Sequence, residues 1–464
     1  MRFKAASGAM LTLLTISVFS MFLILAPQVK AETGCWTTKT SLPHPQAVFG
    51  AAVVNGKIYA IGGQYRDQDQ YVWLDTNYEY DPLNDSWIPR TSMPTKRSTL
   101  TAVSANDKIY AIGGAASASG GALSTNEEFD PVSNSWTVKA SMPTPRNWIS
   151  AAVVNGKVYV IGGSDNSGGI FSMNEMYDPL TDTWTTKTQC PHARLACGIG
   201  VVNGKIYLIG GWVRPGSPPG EPTTLNEQYD PQTDTWTTKA PMPTARNGLG
   251  VAVVNNRIYA IGGATDFNPW TNNLNVVEEY DPSSDTWRTV QSIPTSRSLL
   301  STAAIGNKIY AIGGVRDSHA NTGYLDTNEE FNVACMQLTV TSSPITGIAF
   351  TIDGNPQTTP YTEWLLEGSY TLVMPETHNG YVWSHWLEDE DTNRIKTITL
   401  QGTTWTAVYE PAPKPVGGKA TPINLPISKL ELLTPYIGLT MLLVASVVTI
   451  VFVKKRKRRT ETIS

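Results

Sequence analysis

Arginine recurs at near-equal intervals in this chain, at Arg97, Arg146, Arg194, Arg246 and Arg297, with Gln46 standing where a sixth would fall. A guanidinium carries its N–H donors in a rigid fork, so several converging on one point would bind carboxylate, sulfate or acidic-peptide ligands. The same regularity supports a structural reading, in which each arginine bonds carbonyls or acids of the scaffold, because one ligand rarely needs all five. Arg66, Arg214 and Arg316 are irregularly placed and occur with Tyr65, Trp73, Trp212, Trp270 and Tyr324 in segments of variable length. Arginine and large aromatics are the usual composition of a binding hot spot, and aromatic rings also suit sugar stacking. These loop residues are therefore the better candidates for ligand binding.

A repeat of about fifty residues must position them. Gly pairs close near-identical apolar strands at Gly62-Gly63, Gly113-Gly114, Gly162-Gly163, Gly210-Gly211, Gly262-Gly263 and Gly313-Gly314. Trp36, Trp87, Trp136, Trp184, Trp236 and Trp287 each precede the next pair by 26 residues, whereas the distance from a pair to the following Trp varies. Each unit reads as four strands, with an Asn55-Gly56 type of hairpin turn between the first two. Those two strands are apolar on both faces, as expected where neighbouring sheets cover both sides. The periodic Trp, Tyr and Gly are assigned to the scaffold.

The Gly pair after an apolar strand, the downstream Trp and the aromatic-Asp-Pro turns at Tyr80-Asp81-Pro82, Phe129-Asp130-Pro131, Tyr177-Asp178-Pro179, Tyr229-Asp230-Pro231 and Tyr280-Asp281-Pro282 resemble the Kelch repeat. The resemblance implies a propeller of four-stranded blades around a central channel. It also implies that the linkers carrying the recurrent arginines and the loops after the Gly pairs open on one face. Some Kelch relatives are copper oxidases, which need paired Tyr and His ligands; here His44 and His192 fall three blades apart, and no metal or other cofactor is expected. Others act on sialic acids through Arg and acidic residues, which gives an alternative reading as a carbohydrate-active enzyme on acidic sugars. No catalytic constellation singles itself out, so an enzyme is not expected.

The sixth copy departs, since Phe331-Asn332-Val333 lacks Asp-Pro and no Trp follows. The unmatched Trp36 lies at the other end, so Gly34 to Ser41 is expected to supply the outer strand of the last blade. Cys35 and Cys335 then fall at the same hairpin end, and a bridge between them would lock the ring. Cys190 and Cys197 are left as either a second local bridge or two buried thiols.

The fold class is thus all-β: a six-bladed Kelch-type propeller over 32–335, a small β-sandwich over 336–411, and one transmembrane helix. Ser343-Pro344, Ile352-Asp353-Gly354 and Thr359-Pro360 resemble the PEGA-type surface domain, which implies a spacer or surface-association module. Residues 1–31 read as a signal peptide, with an uncleaved anchor as the alternative. A Pro-rich stalk over 412–434, an apolar span over 435–453 and a basic tail over 454–464 follow. Six adjacent positive charges, Lys454 to Arg459, are expected to stay in the cytoplasm, with the N-terminal part outside the cell. Because the basic residues of both ends contribute to a formal charge of −4, the middle is about twelve charges negative, which argues against nucleic acid as a partner. The expected function is a cell-surface binding module, adhesin or receptor-like, for a protein or glycan.

Overall fold

The computed structural model describes residues 33–412, except 69, 118–120, 166, 215–219, 267, 269–270, 317–322, 367–368 and 400–403. The expected signal peptide, the span over 435–453, the basic tail and almost all of the stalk lie outside the described residues. Among the described residues no helix is long and apolar enough to cross a membrane.

Six four-stranded blades make the first part. In the first blade Gly50–Val54, Lys57–Ile61, Asn77–Asp81 and Ser86–Pro89 pair antiparallel in that order, with Ile58 opposite Tyr80 and Tyr80 opposite Trp87. Asn55 and Gly56 turn the first hairpin at φ 50° and 71°, the left-handed pair that matches strand twist. Gly62 is required for close approach, because a Cβ there would stand 2.7 Å from the Arg97 carbonyl of the next linker.

Each repeat Trp stitches its blade to the linker before it. The indole N–H of Trp87 donates to the Thr40 carbonyl at 2.9 Å, Trp136 to Thr91 at 2.9 Å, Trp184 to Ala140 at 2.8 Å, Trp236 to Thr188 at 2.9 Å and Trp287 to Ala240 at 2.9 Å. Trp36 makes the sixth stitch, to Gln291 at 3.1 Å, and stacks on Phe331 with ring centroids 4.9 Å apart. Its strand, Thr33–Lys39, pairs antiparallel with Asn328–Ser343 and so completes the last blade. Cys35 and Cys335 are joined by a disulfide across this pairing, with Cα atoms 5.3 Å apart. Cys190 and Cys197 remain free thiols. Each thiol donates instead to a nearby carbonyl, Cys190 to His192 at 3.2 Å and Cys197 to Leu195 at 3.6 Å, and burial pushes them up to about 11 and about 12.

The 16-residue strand Asn328–Ser343 does not stop at the expected boundary of 335 and 336. Its first half belongs to the sixth blade; its second half pairs antiparallel with Tyr361–Leu366 and parallel with Thr404–Pro411. No Gly or Pro interrupts it, and Cys335, Leu338 and Val340 are all fully buried along it. A second sheet, ordered Asn355–Thr358, Ala349–Ile352, Ser369–Val373 and Ile395–Thr399, accompanies it. Phe350, Leu372, Met374, Trp386 and Tyr409 form a core there that is separate from those between the blades.

In five blades a basic residue at the start of the second strand pairs with the Asp of the Asp-Pro turn: Lys57 with Asp81, Lys108 with Asp130, Lys157 with Asp178, Lys205 with Asp230 and Arg257 with Asp281. The lysine hydrogen bond holds Asp81 and Asp130 down at about 2. A carboxylate lowered by folding contributes stability above its ordinary value near 3.8, and that contribution disappears as pH falls through about 2. Carbon-detected NMR titration should place both midpoints near 2, and Lys57→Met should move only Asp81 upward. Midpoints near the ordinary value would refute the clamp.

Candidate binding face

The five repeat arginines do not reach the channel mouth. All are fully buried, and each is paired with a Glu on the third strand of its own blade. Arg97 meets Glu127 at 2.6 Å, Arg146 meets Glu175 at 2.6 Å, Arg194 meets Glu227 at 2.6 Å, Arg246 meets Glu278 at 2.7 Å, and Arg297 pairs with Glu329. Thr95, Thr144, His192, Thr244 and Thr295 bond the second oxygen of the same carboxylates. Carbonyls of the Gly-pair region take further guanidinium protons, as Gly162 does from Arg146 and Gly313 from Arg297. Burial lowers Arg246 to about 10, so it stays charged at neutral pH. Of the two readings of the repeat arginines the structural one therefore holds, and as ligand-binding candidates all five are corrected: each side chain folds back beneath its own linker and ties that linker to the blade.

The first blade lacks this tie. Gln46 replaces the arginine and Tyr78 stands in the register of the glutamates, so both partners change together. Gln46 is fully buried, and neither its Oε1 nor its Nε2 has a hydrogen-bond partner in the protein. An unsatisfied buried amide costs about 1–3 kcal/mol. Gln46→Leu should therefore raise the urea midpoint, by roughly 1 kcal/mol in stability. A lowered midpoint would show that the amide has a polar partner after all.

The mouth is formed two residues after each of those positions, by Val48, Thr99, Trp148, Ala196, Gly248 and Leu299. All six lie in the left-handed region, with φ between 50° and 58°. Their backbones close a ring of hydrogen bonds, in which Thr99 N–H donates to Val48 C=O at 2.8 Å, Trp148 to Thr99 at 3.0 Å, Ala196 to Trp148 at 3.1 Å, Gly248 to Ala196 at 2.9 Å, Leu299 to Gly248 at 2.7 Å and Val48 to Leu299 at 3.1 Å. The ring satisfies its own polar backbone and leaves a mostly apolar throat. Behind it, the six first strands enclose a channel of about 480 Å³, lined by small residues such as Gly50, Ala102, Ala151, Gly200 and Ala303.

Beside the throat lies a recess of about 210 Å³, lined by Gln64, Tyr71, Trp73, Ser98, Thr99, Ala115, Ser117, Asn147 and Trp148. The hairpin Gln64–Asp67 and Gln70–Trp73 builds one wall. Gln64 is fixed there, its Oε1 accepting from Ser98 Oγ at 2.8 Å and its Nε2 donating to Tyr324 Oη at 3.4 Å. Tyr71 and Trp73 have ring centroids 6.1 Å apart, and the Arg66 guanidinium lies 5.4 Å from the Tyr71 ring. Burial pushes the Tyr324 hydroxyl up to about 12.

Three of the loop candidates, Arg66, Trp73 and Tyr324, are thus brought to one place. Arg214 and Trp212 belong to the fourth blade; Arg214 reaches across to the third-blade loop, donating to the Gly168 carbonyl at 2.7 Å, and Trp212 pairs with Pro222. Arg316 is exposed on the loop of the sixth blade, and Trp270 lies outside the described residues. Trp148, Tyr71, Gln64 and Asn147 were not among the expected site residues. Trp148 had a legible signal, since the other repeats carry Val, Thr, Ala, Gly or Leu in its place. Among the described residues, no three His, Cys, Asp or Glu side chains are placed to share a metal ion.

A model of the KLHDC2/KLHL20/DRC7 Kelch-repeats domain matches residues 26–211 and 99–314, which together make up more than half of the chain. The chain is similar to the Kelch-like protein terF of Aspergillus terreus, 39% identical over 97 residues that form 20% of this chain and 21% of that protein. It is similar to Kelch-like protein 28 of Homo sapiens, 35% identical over 92 residues, 19% of this chain and 16% of that one. Beta-scruin of Limulus polyphemus is 35% identical over 98 residues, 20% of this chain and 10% of its own length. The chain thus spans about a fifth or less of these relatives. Among solved structures, YjhT matches with a TM-score of 0.52 at 17% identity, covering 62% of this chain and 95% of that one, a likeness in fold. With six blades, their Gly pairs and the Trp stitches in register, and a family model spanning most of them, the chain belongs to the Kelch-repeat family.

Proposed function

We propose that this chain is a binding module that takes a protein or glycan ligand on the loop-bearing face of its propeller, without catalysis. The observation that carries the reading is the recess beside the throat, where Trp73 and Trp148 meet neutral polar groups on a rigid ring. Kelch domains bind protein partners generally, which supports binding as the class of activity. Aromatic anchors set in a recess are the usual centre of a binding surface. Acidic sugars lose support as ligands, because the five arginines that would have met them are buried and paired.

Display at the cell surface is part of the same proposal. A signal peptide over 1–31, a span over 435–453 and the basic run Lys454 to Arg459 would hold the propeller outside, on the second β-domain as a PEGA-like spacer. Full-length chain screened on protein and glycan arrays should find a ligand whose binding falls roughly 30-fold in Trp148→Ala, the effect of a hot-spot truncation near 2 kcal/mol. Undiminished binding in that variant would overturn the site. External protease on intact cells should remove the propeller and spare a tag placed after Ser464; a fully protected propeller would overturn the topology.

A further inference from the structure

We infer that the recess beside the throat, where the first three blades meet, is a subsite for one neutral sugar ring of a saccharide, a reading that rests on the loop-bearing face being the binding face. Every described side chain lining it is uncharged. Tyr71, Trp73 and Trp148 offer aromatic faces, which pack against the C–H face of a pyranose. Gln64, only partly buried, keeps a second amide N–H and further lone pairs beyond its bonds to Tyr324 and Ser98, and so can donate and accept as sugar hydroxyls do. The nearly buried Ser98, Thr99 and Asn147 are already bonded and hold the wall in place. The nearest cation on the hairpin, Arg66, lies over the Tyr71 ring and is not part of the lining. Among the described residues an anionic ligand finds no ion partner in the lining, whereas a neutral polyol finds the amide of Gln64.

Trp148 is the residue that the scaffold does not require. The ring of hydrogen bonds runs through backbone atoms only, and its five other positions are filled by Val, Thr, Ala, Gly and Leu. The next residue along the ring, Ala196, together with Asn247, Ala264 and Asp266, lines a smaller hollow of about 80 Å³ on the other side of Trp148. That places the indole as a partition between two hollows.

The test is calorimetric titration of the full-length chain with cellotetraose, mannotetraose and chitotetraose, with 3′-sialyllactose and a heparin tetrasaccharide as acidic comparators. At least one neutral saccharide should bind saturably and both acidic ones should not. Trp148→Ala and Trp73→Ala should each weaken that binding at least tenfold, Trp148→Phe should keep part of it, and Arg214→Ala, on the fourth blade, should leave it unchanged. An unchanged melting curve in Trp148→Phe separates lost contact from lost fold. Acidic saccharides binding as well as neutral ones, or neutral binding indifferent to Trp148, would overturn the assignment. All saccharides inert, with an array protein whose binding is lost in Trp148→Ala, would overturn the sugar and leave the binding face standing. Array ligands that all ignore Trp148 and Trp73 would overturn both.

Discussion

Arg246→Met should destabilise the protein by about 3–5 kcal/mol, because it leaves the Glu278 carboxylate buried with only the Thr244 hydroxyl beside it. Both side chains of the pair are at most 2% exposed, so water cannot replace the lost guanidinium. The Val276 and Ala260 carbonyls each lose the guanidinium as a donor as well, though Val276 keeps the Gly262 N–H. The double variant Arg246→Met, Glu278→Leu should recover most of the loss, since exchanging a buried ion pair for packed apolar groups is often near neutral. The first blade already does without the pair, with Gln46 and Tyr78 in those places. Urea denaturation of the three variants decides it; a single variant as stable as the double would mean that the pair does not carry the energy. Ligand affinity per folded molecule should be unchanged in all of them, because none of these groups reaches the face.

Removing the Cys35 to Cys335 bridge should cost on the order of 5 kcal/mol, since it closes a loop of 300 residues in the unfolded chain. The bridge also holds Thr33–Lys39 on the sixth blade, where Trp36 covers Phe331 and reaches the fifth linker. Losing that strand would uncover Phe331 and the neighbouring Tyr259. A Cys35→Ala, Cys335→Ala variant should melt at lower temperature and be cut first after Lys39 in limited proteolysis. An unshifted melting curve with an uncut N-terminal strand would show that the strand pairing closes the ring unaided. Reductant should act on the wild type as the double variant does and leave that variant unaffected, because Cys190 and Cys197 are already free thiols.

The number of blades and the closure of the ring were legible because they depend on local spacing. Asn-Gly turns, Gly pairs and Trp at a fixed 26 residues ahead of each pair set one blade at a time, and the missing Trp of the sixth could be matched to Trp36 by counting. The direction of the repeat arginines was not legible in the same way. Whether a guanidinium points to solvent or into a blade depends on an acid 29 to 33 residues away, on a strand that comes beside it only after the blade has formed. A trace was present in Glu127, Glu175, Glu227, Glu278 and Glu329, which recur with the arginines and fail with Gln46. The continuous strand Asn328–Ser343 was hidden for a related reason, since the end of a repeat need not be the end of a strand.

By itself, then, the sequence determined an all-β chain of six Kelch blades closed by its first strand, with loops of unequal length set beside a repeated scaffold. Only the tertiary structure decided which of those side chains face a ligand. It buried the five arginines in ion pairs, drew Val48, Thr99, Trp148, Ala196, Gly248 and Leu299 into one hydrogen-bonded ring, and set Trp148 beside Trp73. These residues are roughly fifty apart in the chain, and no local preference links them; they meet because closing the ring brings every linker to the same axis.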